Sequence, residues 1–251
     1  MASFLPGSRD SMAECTTGSG KTTLLSLLTG DHPQSYTQIP PKSQLTLFGR
    51  SRPRIPTPQL RSLIGVVSPE LSNAFPRRSG MTVWDAIGTG FDGGFVPLGE
   101  KNIGIGLAGM LTEDETQWRI DRVWEVLRSL GPTVWAKLYT NSQSVGSLHF
   151  RADISPENFA ARSFVDLSAG EQSMTLLMRA LVGLPRLVLL DEVWSGMDEA
   201  MMTAARAYLR AGGVTEDQAV VVISHWEDEV PWGVEDGVKK FRLEGGEGRE
   251  I

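Results

Sequence analysis

A glycine-rich run that leads directly into an apolar segment constrains this 251-residue chain more than any other feature. Residues 18–23 read Gly-Ser-Gly-Lys-Thr-Thr, and the leucines that follow predict a helix that Gly30 and Pro33 end. Glycines let backbone N–H groups surround a phosphate, and the helix N-terminus adds its positive end at the same place. The run therefore predicts a phosphate-binding loop, or P-loop, in which Lys21 reaches the β- and γ-phosphates and Thr22 binds Mg²⁺.

The P-loop pattern departs from its strict form at one position. Cys15 stands where the pattern has its first glycine. The alternative is an ordinary Gly-rich turn before a helix, which binds nothing.

Composition excludes several classes of protein. Cys15 is the single cysteine, which rules out a disulfide scaffold, and a net charge of -6 disfavours nonspecific binding to nucleic acid or anionic lipid. No window approaches about 18 consecutive apolar residues, so no membrane-spanning helix is predicted. Residues 1–10 lack the apolar core of a secretory signal. We therefore expect a cytoplasmic protein, with a mitochondrial location as the alternative.

A second apolar segment ends in two carboxylates. Residues 187–190 read Leu-Val-Leu-Leu and are followed by Asp191 and Glu192. A strand here would place Asp191 beside the metal ion of the P-loop, and Glu192 would polarise an attacking water. Many strands end in acidic residues, so this pattern indicates a nucleotide site only together with the P-loop in the same chain.

A third motif, Leu-Ser-Ala-Gly-Glu-Gln at residues 167–172, precedes another apolar helix. Ser168, Gly170 and the helix N-terminus would form a second anion site. The alternative is a simple helix cap, in which Ser168 caps the helix and nothing binds. Ser168 lies 23 residues before Asp191, and this spacing favours the first interpretation.

Alternating strands and helices predict an α/β fold with a mostly parallel core sheet. We expect a single domain over residues 1–251, with its core at about 15–70 and 163–240 and a helical subdomain at about 71–162. The helical part contains a Gly-rich insert with eight glycines between Gly88 and Gly109, and a capping box at residues 112–115 opens its main helix.

Five elements in this order resemble the ATP-binding cassette (ABC) ATPase family. They are the P-loop, the signature at residues 167–171, the strand that ends in Asp191, the D-loop-like run 195–198, and Ile-Ser-His at 223–225. The resemblance covers about residues 15–230. Residues 29–33, 45–49 and 64–68 look like the second cassette of soluble tandem ABC ATPases of the photorepair and molybdate-operon type.

The resemblance implies a role for each matching residue. Phosphate and nucleotide binding falls to Gly18, Ser19, Gly20, Lys21, Thr22 and Thr23, and Mg²⁺ binding to Thr22 and Asp191. The catalytic residues would be Glu192 as the base and His225 as the contact to the γ-phosphate. The signature residues Ser168, Ala169, Gly170 and Glu171 would complete the ATP site of a partner cassette, and Asp198 would communicate across the interface.

The function implied is Mg²⁺-dependent ATP binding and hydrolysis by two cassettes arranged head to tail. The partner would be a second copy of this chain or the upstream half of a tandem protein. One alternative is an energy-coupling subunit that docks on a separate membrane protein. Another is a nucleotide-binding module without hydrolysis, suggested by Cys15 and by Pro69, which stands where the family has a glutamine and where Glu70 would have to substitute.

The N-terminal segment departs from the family most clearly. Residues 7–14 are polar and predict a turn, whereas the family places strands there, including one that carries an adenine-stacking aromatic residue. We therefore expect the N-terminal strands to be missing and the chain to be an incomplete cassette. A natural short variant is the alternative. At the other end, residues 243–251 are expected to fray.

Overall fold

The computed structural model describes residues 11–15, 20–37, 45–93, 103–106, 109–141, 155–224, 229–233, 236–244 and 247–250. Its strands are β1 (Ser11–Cys15), β2 (Thr46–Leu47), β3 (Arg50–Ser51), β4 (Ile64–Val67), β5 (Leu187–Asp191), β6 (Ala219–Ile223), β7 (Lys239–Glu244) and β8 (Glu247–Glu250). Its helices are α1 (Lys21–Thr29), α2 (Gln34–Thr37), α3 (Thr57–Leu63), α4 (Pro69–Ala74), α5 (Val83–Gly88), α6 (Glu113–Leu130), α7 (Pro132–Asn141), α8 (Pro156–Ala161), α9 (Ala169–Leu181) and α10 (Glu199–Tyr208).

Six strands form the central sheet in the order β4-β5-β6-β1-β7-β8. All neighbours are parallel except β7 and β8, which form an antiparallel hairpin at one edge. The α/β fold class and the mostly parallel core sheet predicted from the sequence are confirmed.

Ser11–Cys15 forms a strand, so the prediction of a turn was wrong for residues 11–14, while residues 7–10 lie outside the described residues. Ser11 pairs with Val221 of β6 on one side and with Lys239 of β7 on the other. A backbone that is hydrogen-bonded on both sides stays extended whatever its local composition, because strand preference depends strongly on context. The strand that we expected to be missing next to the P-loop is thus formed by Ser11–Cys15.

The C-terminal segment also departs from expectation. Lys239–Glu244 pairs with Glu247–Glu250 instead of fraying. Lys239–Glu244, which is β7, is anchored in turn on β1. Ser11 and Lys239, which pair between β1 and β7, lie far apart in sequence, so local patterning does not display the pairing that anchors this hairpin.

Alternate residues of β5 and β6 enter two different apolar cores. Val188 and Leu190 belong to the larger core with α6 and α9, whereas Leu187 and Leu189 belong to a smaller core with Leu25 and Leu28 of α1. Strands covered on both faces are expected to be apolar throughout, as these are. The smaller core holds α1 against the sheet and so positions the helix that begins at Lys21.

The helical part is built around α6 and α9. Thr112 caps α6 by accepting a hydrogen bond from the Glu115 N–H at 3.2 Å. Further along α6, the buried Arg119 pairs with Asp92 at 3.0 Å. The same carboxylate accepts hydrogen bonds from the N–H groups of Ile105 and Gly106, so it fixes the described part of the Gly-rich insert.

Candidate nucleotide-binding site

Three neighbouring strands end at the same edge of the sheet. In their register, Asp191 of β5 lies beside Ile223 of β6, and Ile223 lies beside Ala13 of β1. The chain leaves β1 at Cys15 and enters α1 at Lys21. The carboxylates of Asp191, at the end of β5, and of Glu192, just after it, are therefore brought to the same edge as the loop that leads into α1.

Gly20 sets the start of α1. It has φ of 102° and lies at the N-cap, a left-handed conformation in which any other residue would be strained. Lys21 and Thr22 follow in the first turn, and Thr22 and Thr23 are exposed. The first N–H groups of a helix have no partner within it and are available to an anion. Gly18 and Ser19 lie outside the described residues.

Asp191 and Glu192 are consecutive but lie in different environments. The side chain of Asp191 is buried at the end of β5, whereas Glu192 is exposed. Glu192 adopts φ of +48°, which is costly for a residue with a Cβ, and its N–H donates to the carbonyl oxygen of Ile223 at 3.1 Å. This hydrogen bond holds the first residue after β5 against the end of β6. His225, two residues beyond Ile223, lies outside the described residues.

The signature segment caps α9. Ser168 Oγ accepts from the Glu171 N–H, and the Ser168 N–H donates to Glu171 Oε2 at 2.8 Å. The cap that we weighed as the alternative is therefore present. The exposed Ser168 hydroxyl takes part in this cap and also helps to keep the pKa of Glu171 low, and the second anion site stays a prediction.

The side chain of Glu171 accepts hydrogen bonds from two different groups. Its buried carboxylate accepts hydrogen bonds from the Arg162 guanidinium at 2.7 Å and from the Ser168 N–H. Burial raises the pKa of Glu171, but these hydrogen bonds to the charged form outweigh it and leave the pKa below its ordinary value. The side chain is thus a charged part of the cap.

The D-loop-like run packs against α9 within the same chain. A Cβ at Gly170 would lie 2.6 Å from the carbonyl oxygen of Gly196, so only glycine allows this approach. Asp198 Oδ1 accepts from the Met201 N–H at 3.0 Å and caps α10. Sequence reasoning missed this intrachain packing of Gly170, although two small residues at 170 and 196 were a signal for it.

A cleft of about 360 Å³ extends from Thr22 along β4 and α9. Ser68 and Glu70, which follow β4, line it together with Thr22. Pro69 begins α4, and Ser68 caps that helix by accepting from the Leu71 N–H at 3.1 Å. Glu70, next to Pro69, therefore borders the same cleft as Thr22, and its substitution for the family's glutamine stays a prediction.

Comparison with known proteins decides the family. The family model for ABC transporters matches residues 16–195. The chain belongs to the ABC family. This confirms the resemblance found in the sequence, and the chain is an ABC ATPase domain that binds ATP.

The relatives are longer proteins. An uncharacterised ABC transporter ATP-binding protein of Schizosaccharomyces pombe is 29% identical over 217 residues, which cover 85% of this chain and 35% of that protein. The ABC transporter ATP-binding protein ModF of Escherichia coli is 29% identical over 215 residues, with 85% and 35% covered. The chain spans about a third of the length of the curated relatives it matches.

Solved structures show the same fold. A dimeric ATP-binding cassette in a post-hydrolysis state, bound to ADP and Pi, gives a TM-score of 0.61 at 18% identity and covers 100% of this chain and 87% of its own. A bacterial Atm1-family ABC exporter with ATP bound gives a TM-score of 0.58 at 18% identity, with 96% and 32% covered. In the described part of this chain, no helix is long and apolar enough to cross a membrane.

Proposed function

We propose that this chain hydrolyses ATP with Mg²⁺ as one half of a head-to-tail pair of cassettes. The observation that carries the proposal is the meeting of β1, β6 and β5 at one edge of the sheet. These strands run in the same direction, so the segment that leads into α1 and the carboxylates of Asp191 and Glu192 leave the sheet at the same edge. The partner would be a second copy of this chain or a cassette of a longer polypeptide.

The phosphates would lie at the N-terminus of α1. Gly18, Ser19 and Gly20 would supply backbone N–H groups, and the Lys21 ammonium would contact the β- and γ-phosphates. This arrangement needs no deep pocket, because the helix N-terminus and the loop supply the donors from the backbone. Thr23 would add a further contact from the first turn.

The oxygen ligands at the edge fit Mg²⁺. Thr22 offers an exposed hydroxyl and Asp191 a carboxylate, and Mg²⁺ usually takes one or two protein oxygens besides phosphates and water. The described residues contain no cluster of three or more His, Cys, Asp or Glu side chains that could hold a metal by themselves. When bound, the ion would neutralise charge that develops on the phosphates.

Glu192 would act as the base. It is exposed at the edge, and its backbone is held on β6, so its carboxylate can polarise a water that attacks the γ-phosphate. His225 would contact the γ-phosphate from the segment after β6. Both roles come from the family motif and stay proposals.

The second half-site would lie at the N-terminus of α9. Ser168 is exposed there, and Ala169 is exposed beside it. Glu171 is occupied by Arg162 and by the Ser168 N–H, so it would shape the turn rather than touch nucleotide. Asp198 would face the partner from the neighbouring turn.

The test is Glu192→Gln, with Glu216→Gln as a matched control at an exposed loop position. Removing a general base typically slows a reaction by about 10²–10⁴-fold, so phosphate release should fall by that factor while ATP binding persists. Because hydrolysis opens the pair, the variant should form dimers at saturating Mg-ATP, measured by light scattering. Hydrolysis at the wild-type rate would remove Glu192 as the base, and a monomer at saturating ATP would contradict the head-to-tail arrangement.

A further inference from the structure

We infer that Ser173 is a positioning residue, which holds the turn after Glu192 against the signature helix α9. This inference rests on the proposed function, since it concerns how the base of one ATP site is linked to the signature that serves the other. Ser173 belongs to none of the motifs identified in the sequence.

The hydroxyl of Ser173 leaves its own helix. Ser173 Oγ donates to the carbonyl oxygen of Ser195 at 2.7 Å, across 22 residues of sequence. A helical serine usually returns its hydroxyl to a carbonyl of the preceding turn, as Ser26 does to Thr22 and Ser62 does to Gln59. The bond of Ser173 is therefore a tertiary contact between α9 and the turn at residues 195–198.

The same turn is bonded to the residue proposed as the base. The Ser195 N–H donates to the carbonyl oxygen of Glu192 at 3.1 Å. The N–H and the carbonyl of Ser195 are thus both engaged, one towards Glu192 and the other towards Ser173. Two hydrogen bonds connect Glu192 to the signature helix.

Close packing makes this connection short. Gly170 lies one turn before Ser173 on α9, and a Cβ there would meet the carbonyl oxygen of Gly196 at 2.6 Å. Gly196 has φ of +79°, and a Cβ on it would lie 3.1 Å from the Cβ of Ala169. The two backbones therefore touch at residues 170 and 196, and the Ser173 hydroxyl fixes their register.

The consequence concerns turnover rather than affinity. Ser168 at the start of α9 would contact the nucleotide of the partner, while Ser173 on the same helix holds the turn that follows Glu192. A shift of α9 that accompanies nucleotide binding on one side would then move Glu192 on the other. Because Ser173 touches no phosphate in this arrangement, its loss should lower kcat and the cooperativity between sites, and leave ATP affinity unchanged.

The test compares Ser173→Ala, Ser173→Thr and, as a matched control, Ser62→Ala in the full chain. Loss of one neutral hydrogen bond corresponds to a change of about two- to tenfold, so we expect kcat to fall by that factor in S173A, with a Hill coefficient closer to 1. S173T keeps a hydroxyl and should restore both. S62A, which loses a hydroxyl bonded only within its own helix, should match the wild type.

A second measurement does not depend on hydrolysis. Amide hydrogen exchange of Ser195 and Met197, whose N–H groups are bonded within the turn, should be faster by about two- to tenfold in S173A and unchanged in S173T and S62A. If the wild type does not hydrolyse ATP, the proposed function fails, and the exchange data still decide whether Ser173 orders the turn.

Two outcomes would overturn the inference. One is an S173A variant with wild-type kcat, cooperativity and exchange. The other is a loss of kcat that S173T does not restore and that accompanies a lower melting temperature, which would make Ser173 a residue of general stability only.

Discussion

The N–H of Glu192 donates to the carbonyl oxygen of Ile223 at 3.1 Å, which fastens the residue after β5 to the last residue of β6. The bond continues the register in which Asp191 lies beside Ile223. It also accompanies the left-handed backbone of Glu192, whose φ is +48°. The exposed carboxylate is therefore placed by two strands rather than by a free loop.

Replacing Lys21 with alanine should weaken ATP binding. A charge-assisted hydrogen bond to phosphate contributes about 1.5–3 kcal/mol, which corresponds to roughly a tenfold to hundredfold loss of affinity. Calorimetry with Mg-ATP measures the affinity, and Lys137→Ala on α7 is the control at an exposed helical lysine. Equal affinity of K21A and wild type would show that the loop before α1 does not bind phosphate through Lys21.

Replacing Thr22 with valine should raise the Mg²⁺ requirement. Valine has the shape of threonine but lacks the hydroxyl. Because Mg²⁺ uses few protein ligands, the loss of one oxygen ligand should raise the Mg²⁺ concentration for half-maximal hydrolysis by about tenfold or more. Titrating Mg²⁺ at fixed ATP measures the shift. Thr203→Val on α10, also at an exposed position, should leave this Mg²⁺ concentration unchanged. An unchanged Mg²⁺ concentration in T22V would exclude Thr22 as a ligand.

Gly170→Ala should destabilise the fold. The new Cβ would lie 2.6 Å from the carbonyl oxygen of Gly196 and 2.9 Å from Met201 Sδ. Overpacking of this kind costs about 1–3 kcal/mol, visible as a lower urea midpoint with unchanged slope. Gly183→Ala is the control, since its nearest neighbour lies 3.6 Å from the new Cβ. G170A as stable as G183A would mean that the approach of the two backbones is looser than described.

Glu171 should contribute to the pH dependence of stability. Burial raises the pKa of Glu171, but the hydrogen bonds from Arg162 and the Ser168 N–H lower it by a larger amount. The pKa in the folded state therefore lies below that in the unfolded state. Its contribution is therefore fully present above the ordinary glutamate pKa of about 4.3 and is lost as pH falls through the lower folded pKa.

Glu171→Gln tests this contribution. The variant should be less stable at pH 7 and should lose less stability than wild type on acidification, as measured by thermal melts from pH 7 to pH 3. Glu113→Gln at the exposed start of α6 is the control. Parallel pH curves for E171Q and wild type would contradict the role assigned to the Arg162 pair.

Local signals in the sequence determined many of the elements correctly. The Gly-rich run predicted α1, and its end at Gly30 follows from a left-handed C-cap with φ of +85°. The continuous apolar run at residues 187–190 predicted β5, because a strand buried on both faces needs no alternation. The order of these elements was enough to identify the family before any geometry was known.

Tertiary structure alone decided the rest. Ser11–Cys15 became a strand because β6 and β7 pair with it on both sides, and the hairpin of β7 and β8 formed beside it. The approach of Gly170 to Gly196 and the bond of Ser173 to Ser195 join residues more than 20 positions apart. Helix caps and apolar runs depend on neighbours within one or two turns, which a sequence displays directly. Strand pairing and backbone contact depend on partners that only the folded chain brings together.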